Sequence, residues 1–365
     1  VDNMKLFSSL KILDLTRVFS GPFATRHFAD FGAEVIKIEP PKGDDSRNFP
    51  PLINNWSGYF EILNRNKKSL VLDLKKNKDL NIFYNLCKSS DVIVENYSPK
   101  VSKKLKIDYS IVKKINPHIV YASIVGVSDN VNKKYYDVIA QAESGLISLN
   151  GEKEHMKIST SIVDAFSGMK LAYAISSALY TREKTGNGCK ITVSMKGSAF
   201  DLLEQNLIAT SISKQNPPKV GNMDNAIAPF GLFKTKDGAV IIAIGNEKQW
   251  KIFEKFLQKE NNLFPKQYFI NNQLRLKNIK ILKVEIEKIL KKYSSNDFST
   301  ILDKLDIPNA KVNTMTDIMA DQENYDEKLL EKFKHPIAGT IVVPTGGIKF
   351  SKFHKEKYKK SPDLK

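Results

Sequence analysis

Arginine is scarce in this chain of 365 residues, occurring only at positions 17, 26, 47, 65, 182 and 275 among 57 basic residues. The formal net charge of +17 is therefore almost all lysine, dispersed along the chain among many asparagines. Arginine supplies the planar fork that reads base edges and grips backbone phosphates, so its shortage argues against a nucleic-acid partner. Cysteine is as sparse. Cys87 and Cys189 lie far apart without a C-x-x-C spacing, and the five histidines at 27, 118, 155, 335 and 354 show no ligand pattern. These absences argue against a disulfide scaffold and a resident metal, and favour a reduced, cytoplasmic chain. No apolar run approaches the roughly 18 residues of a membrane span. No signal-peptide core is evident, so neither membrane insertion nor export is expected.

What is present is a globular composition, 41% hydrophobic and 27% charged, on a chain too long for one ordinary core. Two domains are expected: a large one over 1–210, a linker rich in Ser, Asn, Pro and Gly over 211–229, a small domain over 230–325, and a return to the large domain over 326–365. In the first 125 residues, short β-branched runs at 11–15, 34–39, 70–74, 91–95 and 119–125 alternate with helical patterns at 24–31, 79–88 and 110–115. That alternation predicts a Rossmann-like, doubly wound parallel sheet. A long helix over 165–184 follows, ended by Gly186, then a strand over 190–195. The smaller unit reads as α+β, with a hairpin at Lys236-Asp237-Gly238 and a strand over 239–244. A further strand is expected over 340–343, and the lysine-rich end is expected to fray.

Candidate chemistry lies in the loops after the strands. Ser20-Gly21-Pro22 opens the first helix, where free N–H groups can receive an anion. Asp73 and Lys75 close the third strand, and Asn96-Tyr97-Ser98-Pro99 the fourth. In an open sheet such loops hold a phosphorylated or adenine-bearing ligand through lysine charge and tyrosine stacking. Tyr136-Asp137 precedes a helix that Asp137 is positioned to cap. Asp164, ahead of the long helix, is either a plain N-cap or a nucleophile. On its own signal the cap is the commoner outcome.

In order, Ser20-Gly21-Pro22, the run Phe28-Ala29-Asp30-Phe31-Gly32-Ala33-Glu34-Val35-Ile36-Lys37-Ile38-Glu39-Pro40-Pro41 and Gly43-Asp44 with Arg47 resemble the family III CoA-transferases of the CaiB/BaiF type. Asn64-Arg65-Asn66-Lys67-Lys68-Ser69, Asp91-Val92-Ile93-Val94-Glu95-Asn96-Tyr97, Tyr136-Asp137, Asp164 with Gly168, and Thr185-Gly186-Asn187-Gly188 continue the likeness. The resemblance implies a CoA-transferase that moves CoA from an acyl-CoA donor to a free carboxylic acid. Asp164 would be its nucleophile, forming a covalent aspartyl intermediate. It implies coenzyme A contacts at Phe19 and Ser20, at Leu72, Asp73, Leu74 and Lys75, at Asn96, Tyr97 and Ser98, at Lys104, and at Lys134, Tyr135, Tyr136 and Asp137. An interlocked homodimer is also implied, and the common substrates of the family point to a C4–C5 dicarboxylate such as succinate.

The alternative on the same fold is an α-methylacyl-CoA racemase, which places a histidine where this chain has Tyr136. A phenol with an ordinary pKa near ~10 relays protons poorly near neutrality. Several residues depart from the family pattern. Lys104 stands for a usual arginine, Lys100 and Lys106 for common glycines, and Val127-Ser128-Asp129-Asn130 for a glycine-rich stretch. No glycine-rich loop follows Gly245, which argues against formyl-CoA:oxalate exchange. The positive end of the long helix is expected to keep Asp164 ionised.

Overall fold

In a computed structural model, residues 5–131 and 133–364 are described. They divide into two compact units. The first comprises residues up to Ile147, Lys157–Ile212 and Glu323 onward; the second comprises Ser148–Met156 and Ser213–Gln322.

The first unit is built on six parallel strands: β1 (Lys11–Asp14), β2 (Glu34–Glu39), β3 (Lys68–Val71), β4 (Val92–Glu95), β5 (Val120–Val125) and β6 (Lys190–Ser194). Their order across the sheet is β3-β2-β1-β4-β5-β6. Leu13 pairs with Ile36 on one side and Ile93 on the other, so the strand order reverses at β1 and β4. A ligand crevice forms at such a reversal, outside the carboxyl ends of the strands. Strands β4 and β5 are buried along their whole length, as strands covered on both faces must be. One face packs Leu13, Leu15, Ile38, Phe83, Ile93, Val112 and Tyr121 into a continuous core.

Helix α1 (Ser20–Asp30) begins four residues before the apolar periodicity does, because Ser20-Gly21-Pro22 form its first turn. The hydrophobic run 70–74 also misleads. Strand pairing ends at Val71, and Leu72 to Lys75 leave the sheet as a loop whose leucines stay buried. Helix α2 (Gly58–Asn64), capped by the Ser57 hydroxyl, precedes β3. Helices α3 (Asn77–Lys88), α4 (Pro99–Lys104) and α5 (Tyr109–Ile115) follow. Next come the short α6 (Asp137–Glu143) and the 24-residue α7 (Ile162–Thr185). Gly186 closes α7 at φ +72, and Arg182 in its last turn pairs with Asp91 at 2.9 Å. Helices α8 (Met195–Asp201) and α9 (Glu204–Ser213) complete this stretch.

The C-terminal segment adds an antiparallel pair, Leu330–His335 with Gly339–Pro344, of which only the second strand was expected. The lysine-rich end does not fray over its described residues. Ser361 is buried and donates its N–H to Glu61 at 2.9 Å; Arg47 donates to the Pro362 carbonyl at 3.0 Å; Tyr358 packs on Phe333. Lysine abundance masked these few docking residues.

The second unit contains a three-stranded antiparallel sheet of Phe230–Lys234, Ala239–Ala243 and Asn309–Lys311. The hairpin turns where Thr235 and Gly238 share a backbone hydrogen bond of 3.0 Å. Its core gathers Phe233, Val240, Trp250, Phe253, Ile286 and Phe298.

Candidate active site

Three neighbouring strands of the first unit, β1, β2 and β4, end in buried carboxylates: Asp14, Glu39 and Glu95. Buried charge must be matched, and here it forms a shelf beneath the ligand crevice. Lys67 reaches Asp14 at 2.9 Å, and Arg47 clasps Glu39 through 2.6 and 2.7 Å contacts. Lys37 lies 2.9 Å from Asp44 and donates to the Thr16 carbonyl at 2.8 Å. Burial works to raise the Asp14 carboxyl, but the Lys67 and Lys37 ammonium groups hold it well below its usual range. Glu95 takes hydrogen bonds from the Tyr97 N–H and the Ser102 hydroxyl, and burial pushes its carboxyl upward.

This shelf fixes the turn from β1 into α1. Asn96 accepts the Arg17 N–H and donates to the Arg17 carbonyl, both at 2.9 Å. Val18 adopts φ +65, a left-handed conformation that β-branched residues rarely tolerate. The Asp44 carboxylate holds it there by accepting the Val18 N–H at 3.2 Å.

Above the turn lies a cavity of about 380 Å³. Asp164 lines it together with Phe19, Ser20, Asn96, Tyr97, Ser98, Lys134, Tyr135 and Tyr136. Leu72, Asp73, Leu74 and Lys75 line a second cavity of about 210 Å³. Lys104 lines a third of about 550 Å³, with Lys75 and Lys106. Lys106 takes φ +58, where a glycine would fit without strain; Lys100 lies inside α4 and meets no such demand. Gly126 and Val131, on either side of the departing stretch 127–130, line the first cavity, and the four residues between them are not part of its lining. A Cβ on Gly126 would fall 2.5 Å from Tyr135, so that close approach requires glycine.

Asp164 is not an N-cap. Ser161 holds that position without a side-chain bond, and Asp164 stands in the first turn. The helix starts early because a different carboxylate caps it. Asp137 accepts the N–H of Val163 at 2.8 Å and of Asp164 at 3.1 Å, while Gln141 donates to its other oxygen at 2.6 Å. Asp137 thus caps α7 and not its own helix, and it does not line the cavity.

The electrostatics also differ from expectation. Burial, then the negative charge of Asp137, pushes the Asp164 carboxyl up to about 7, with only a Ser20 side-chain hydrogen bond opposing. The helix terminus does not keep it fully ionised, since the Asp137 carboxylate occupies that positive end. Tyr59, pushed to about 12 by burial and by Asp164, Asp44 and Asp137, stays neutral and able to donate. Tyr59, Arg17, Asp45, Lys133 and Met195 were not singled out in the sequence. Arg17 alone carried a readable signal, a rare arginine directly after the first strand.

A buried carboxylate that lines a cavity at the reversal point of a doubly wound sheet is the arrangement in which α/β enzymes place a ligand site. The chain belongs to CoA-transferase family III, whose sequence model it matches over residues 7–365. It is a CoA-transferase by that membership. It is 33% identical over 374 aligned residues to the succinyl-CoA:glutarate CoA-transferase of Mus musculus, covering 100% of this chain and 85% of that protein. With the acetyl-CoA:oxalate CoA-transferase of Acetobacter aceti it shares 35% identity, over 83% of this chain and 79% of the other. A CaiB/BaiF family protein from Brucella suis has a similar structure, with a TM-score of 0.89 at 29% identity, covering 100% of this chain and 97% of that one.

Proposed function

We propose that this CoA-transferase exchanges CoA between a donor acyl-CoA and a dicarboxylic acid through covalent intermediates on Asp164. The observation that carries the reading is the Asp164 carboxylate, lining a cavity that Lys133, Lys134 and Arg17 also line. A carboxylate oxygen of Asp164 attacks the thioester carbonyl and expels the CoA thiolate, leaving a mixed aspartyl–acyl anhydride. The thiolate attacks the aspartyl carbonyl and releases the donor acid, leaving an aspartyl-CoA thioester. The acceptor carboxylate attacks that thioester, and the thiolate, expelled again, takes the acceptor acyl group and restores Asp164. Each step exchanges one activated acyl group for another, so no ATP is required.

Coenzyme A is proposed to occupy the cavities lined by Phe19 and Ser20, Leu72 to Lys75, Asn96 to Ser98, Lys104, and Lys134 to Tyr136. Asp137 acts by holding the Asp164 backbone. The acid is proposed to be a C4–C5 dicarboxylate such as succinate or glutarate, in keeping with the name of the mouse relative. The Acetobacter aceti relative is named for oxalate, also a dicarboxylate, but no glycine-rich loop follows Gly245 here. The protein is proposed to act as a homodimer. Tyr173, Tyr180, Ile208 and Ile212 on α7 and α9 are each more than half exposed, a pattern suited to covering by a second copy. Cys87 and Cys189 are free thiols, in keeping with a cytoplasmic protein.

The test is exchange of CoA from succinyl-CoA to a panel of carboxylates, read by mass spectrometry. Asp164→Ala is expected to abolish exchange and retain CoA binding. Hydroxylamine or borohydride should mark Asp164 during turnover of the wild type. An Asp164→Ala variant with normal exchange sinks the mechanism.

A further inference from the structure

Arg17 and Tyr97 are the two residues that line both the cavity containing Asp164 and the one behind it, formed by the Leu72 to Lys75 loop. A ligand extending from Asp164 toward Lys75 and Lys104 therefore passes Arg17. The backbone there is unusually constrained. Asn96 bridges the N–H and carbonyl of Arg17, Lys37 holds the Thr16 carbonyl, and Val18 is kept left-handed by Asp44. Strain of this kind persists only where surrounding structure enforces it, and it concentrates at ligand clamps.

The guanidinium itself is incompletely satisfied. One terminal nitrogen pairs with Asp45 at 2.7 Å, while Nε is buried with no hydrogen-bond partner among the described residues. Asp45 lines the same cavity but is 61% exposed, against 35% for the arginine side chain. A planar fork with an unused buried donor is suited to an oxyanion that can accept two parallel N–H bonds.

We propose that Arg17 grips the diphosphate of the coenzyme A moiety, and that Asp45 is a competing carboxylate that occupies the fork until the coenzyme arrives. The proposal rests on the preceding reading of these cavities as the coenzyme A site. Within coenzyme A the diphosphate joins the thiol-bearing pantetheine arm to the adenosine. That is the place Arg17 holds between the nucleophile and the lysine-lined cavities. Release of Asp45 costs little, because its carboxylate turns into solvent that already reaches it.

The experiment is titration calorimetry on the full chain with coenzyme A, 3′-dephospho-coenzyme A and pantetheine, together with KM for succinyl-CoA and for the acceptor acid. Arg17→Ala should weaken both diphosphate-bearing ligands by at least about tenfold and leave pantetheine within about twofold. Arg17→Lys should recover part of the loss, since it keeps the charge without the fork. Asp45→Asn should tighten coenzyme A severalfold and lower KM for succinyl-CoA without changing KM for the acid. Pantetheine weakened as much as coenzyme A, or an Arg17→Ala effect confined to KM for the acid, overturns the proposal. So does weaker coenzyme A binding by Asp45→Asn, and that surface variant decides the matter if Arg17→Ala does not fold. A wild type that binds no coenzyme A overturns the function and this assignment together. Binding indifferent to both substitutions overturns the assignment alone.

Discussion

The Asp137 carboxylate accepts the backbone N–H of Asp164 at 3.1 Å, so one carboxylate fixes the position of the other and also repels its charge. Burial and this repulsion hold the Asp164 carboxyl near 7, whereas the nucleophilic attack proposed for it requires the ionised form. The rate kcat/KM, which reports the free enzyme, should therefore fall as pH drops through about 7. Asp137→Asn keeps an oxygen to accept the two N–H groups and removes the charge. The acid limb should move to lower pH, though not to the ordinary value of 3.8, because burial remains the larger cause. A pH profile of kcat/KM measures this, and a limb unmoved by Asp137→Asn would show that the repulsion is not felt.

The same raised pKa has a cost in stability with a definite sign. The folded state binds the Asp164 proton more tightly than the unfolded state, so stability is lost as pH rises from about 3.8 to about 7. Asp164→Asn cannot ionise and escapes this loss. Its Tm should exceed that of the wild type at pH 8, by about 1–2 °C for each kcal/mol relieved, and match it at pH 4. Differential scanning calorimetry at the two values decides it, and an equal offset at both would mean that ionisation is not the cause.

Gly168 lies one turn along α7 from Asp164, where α7 meets α1. A Cβ there would sit 2.6 Å from the Ser20 carbonyl oxygen and 3.1 Å from the Phe23 ring. The first obstacle is backbone and cannot rotate aside. Gly168→Ala should push the two helices apart, costing about 1–3 kcal/mol, the usual range for overpacking. It should also move Asp164 relative to Ser20, lowering kcat by about tenfold or more, as small misplacements of reacting groups do. Denaturant unfolding and steady-state kinetics check the two effects. A variant of unchanged stability would mean that the contact is slack.

The parallel sheet's strands and the loops that carry the cavity could be anticipated because both follow from local pattern. Apolar runs such as Val92–Glu95 and Val120–Val125 are buried on both faces, and the polar residues at their ends fall at the crevice. By its local pattern Asp164 was visible only as a carboxylate near a helix start, and only the family resemblance singled it out. Its status depends on Asp137, 27 residues earlier, which takes the capping role that Asp164 would otherwise fill. Asp14 and Lys37 fall within runs read only as strands and Lys67 within a run noted only for its family likeness, yet all three are almost fully buried. A buried ion pair is fixed by partners distant in sequence, 53 residues apart for Asp14 and Lys67, and no local periodicity encodes it. The docked C-terminus was hidden for the same reason. Tyr358 meets Glu61 at 2.9 Å across nearly 300 residues, in a stretch whose composition suggests only solvated lysine.

That shelf can be tested directly at Lys67. Its ammonium donates to Asp14 at 2.9 Å, to the Pro22 carbonyl at 3.0 Å and to Asn64 at 3.0 Å, so it ties β1, the first turn of α1 and the end of α2 together. Lys67→Ala would leave the fully buried Asp14 carboxylate without its ion-pair partner, with the Thr16 N–H, the Thr16 and Thr25 hydroxyls and the field of Lys37 as partial compensation. Removing one partner of a buried pair typically costs about 3–5 kcal/mol, because the remaining charge loses its direct partner. The double variant Asp14→Asn/Lys67→Met removes both charges at similar volume and should recover most of that loss. Chemical denaturation of the single and double variants measures the difference. If the double variant is as unstable as Lys67→Ala, the stability resides in the hydrogen bonds to Pro22 and Asn64, and the charge pair is incidental to it.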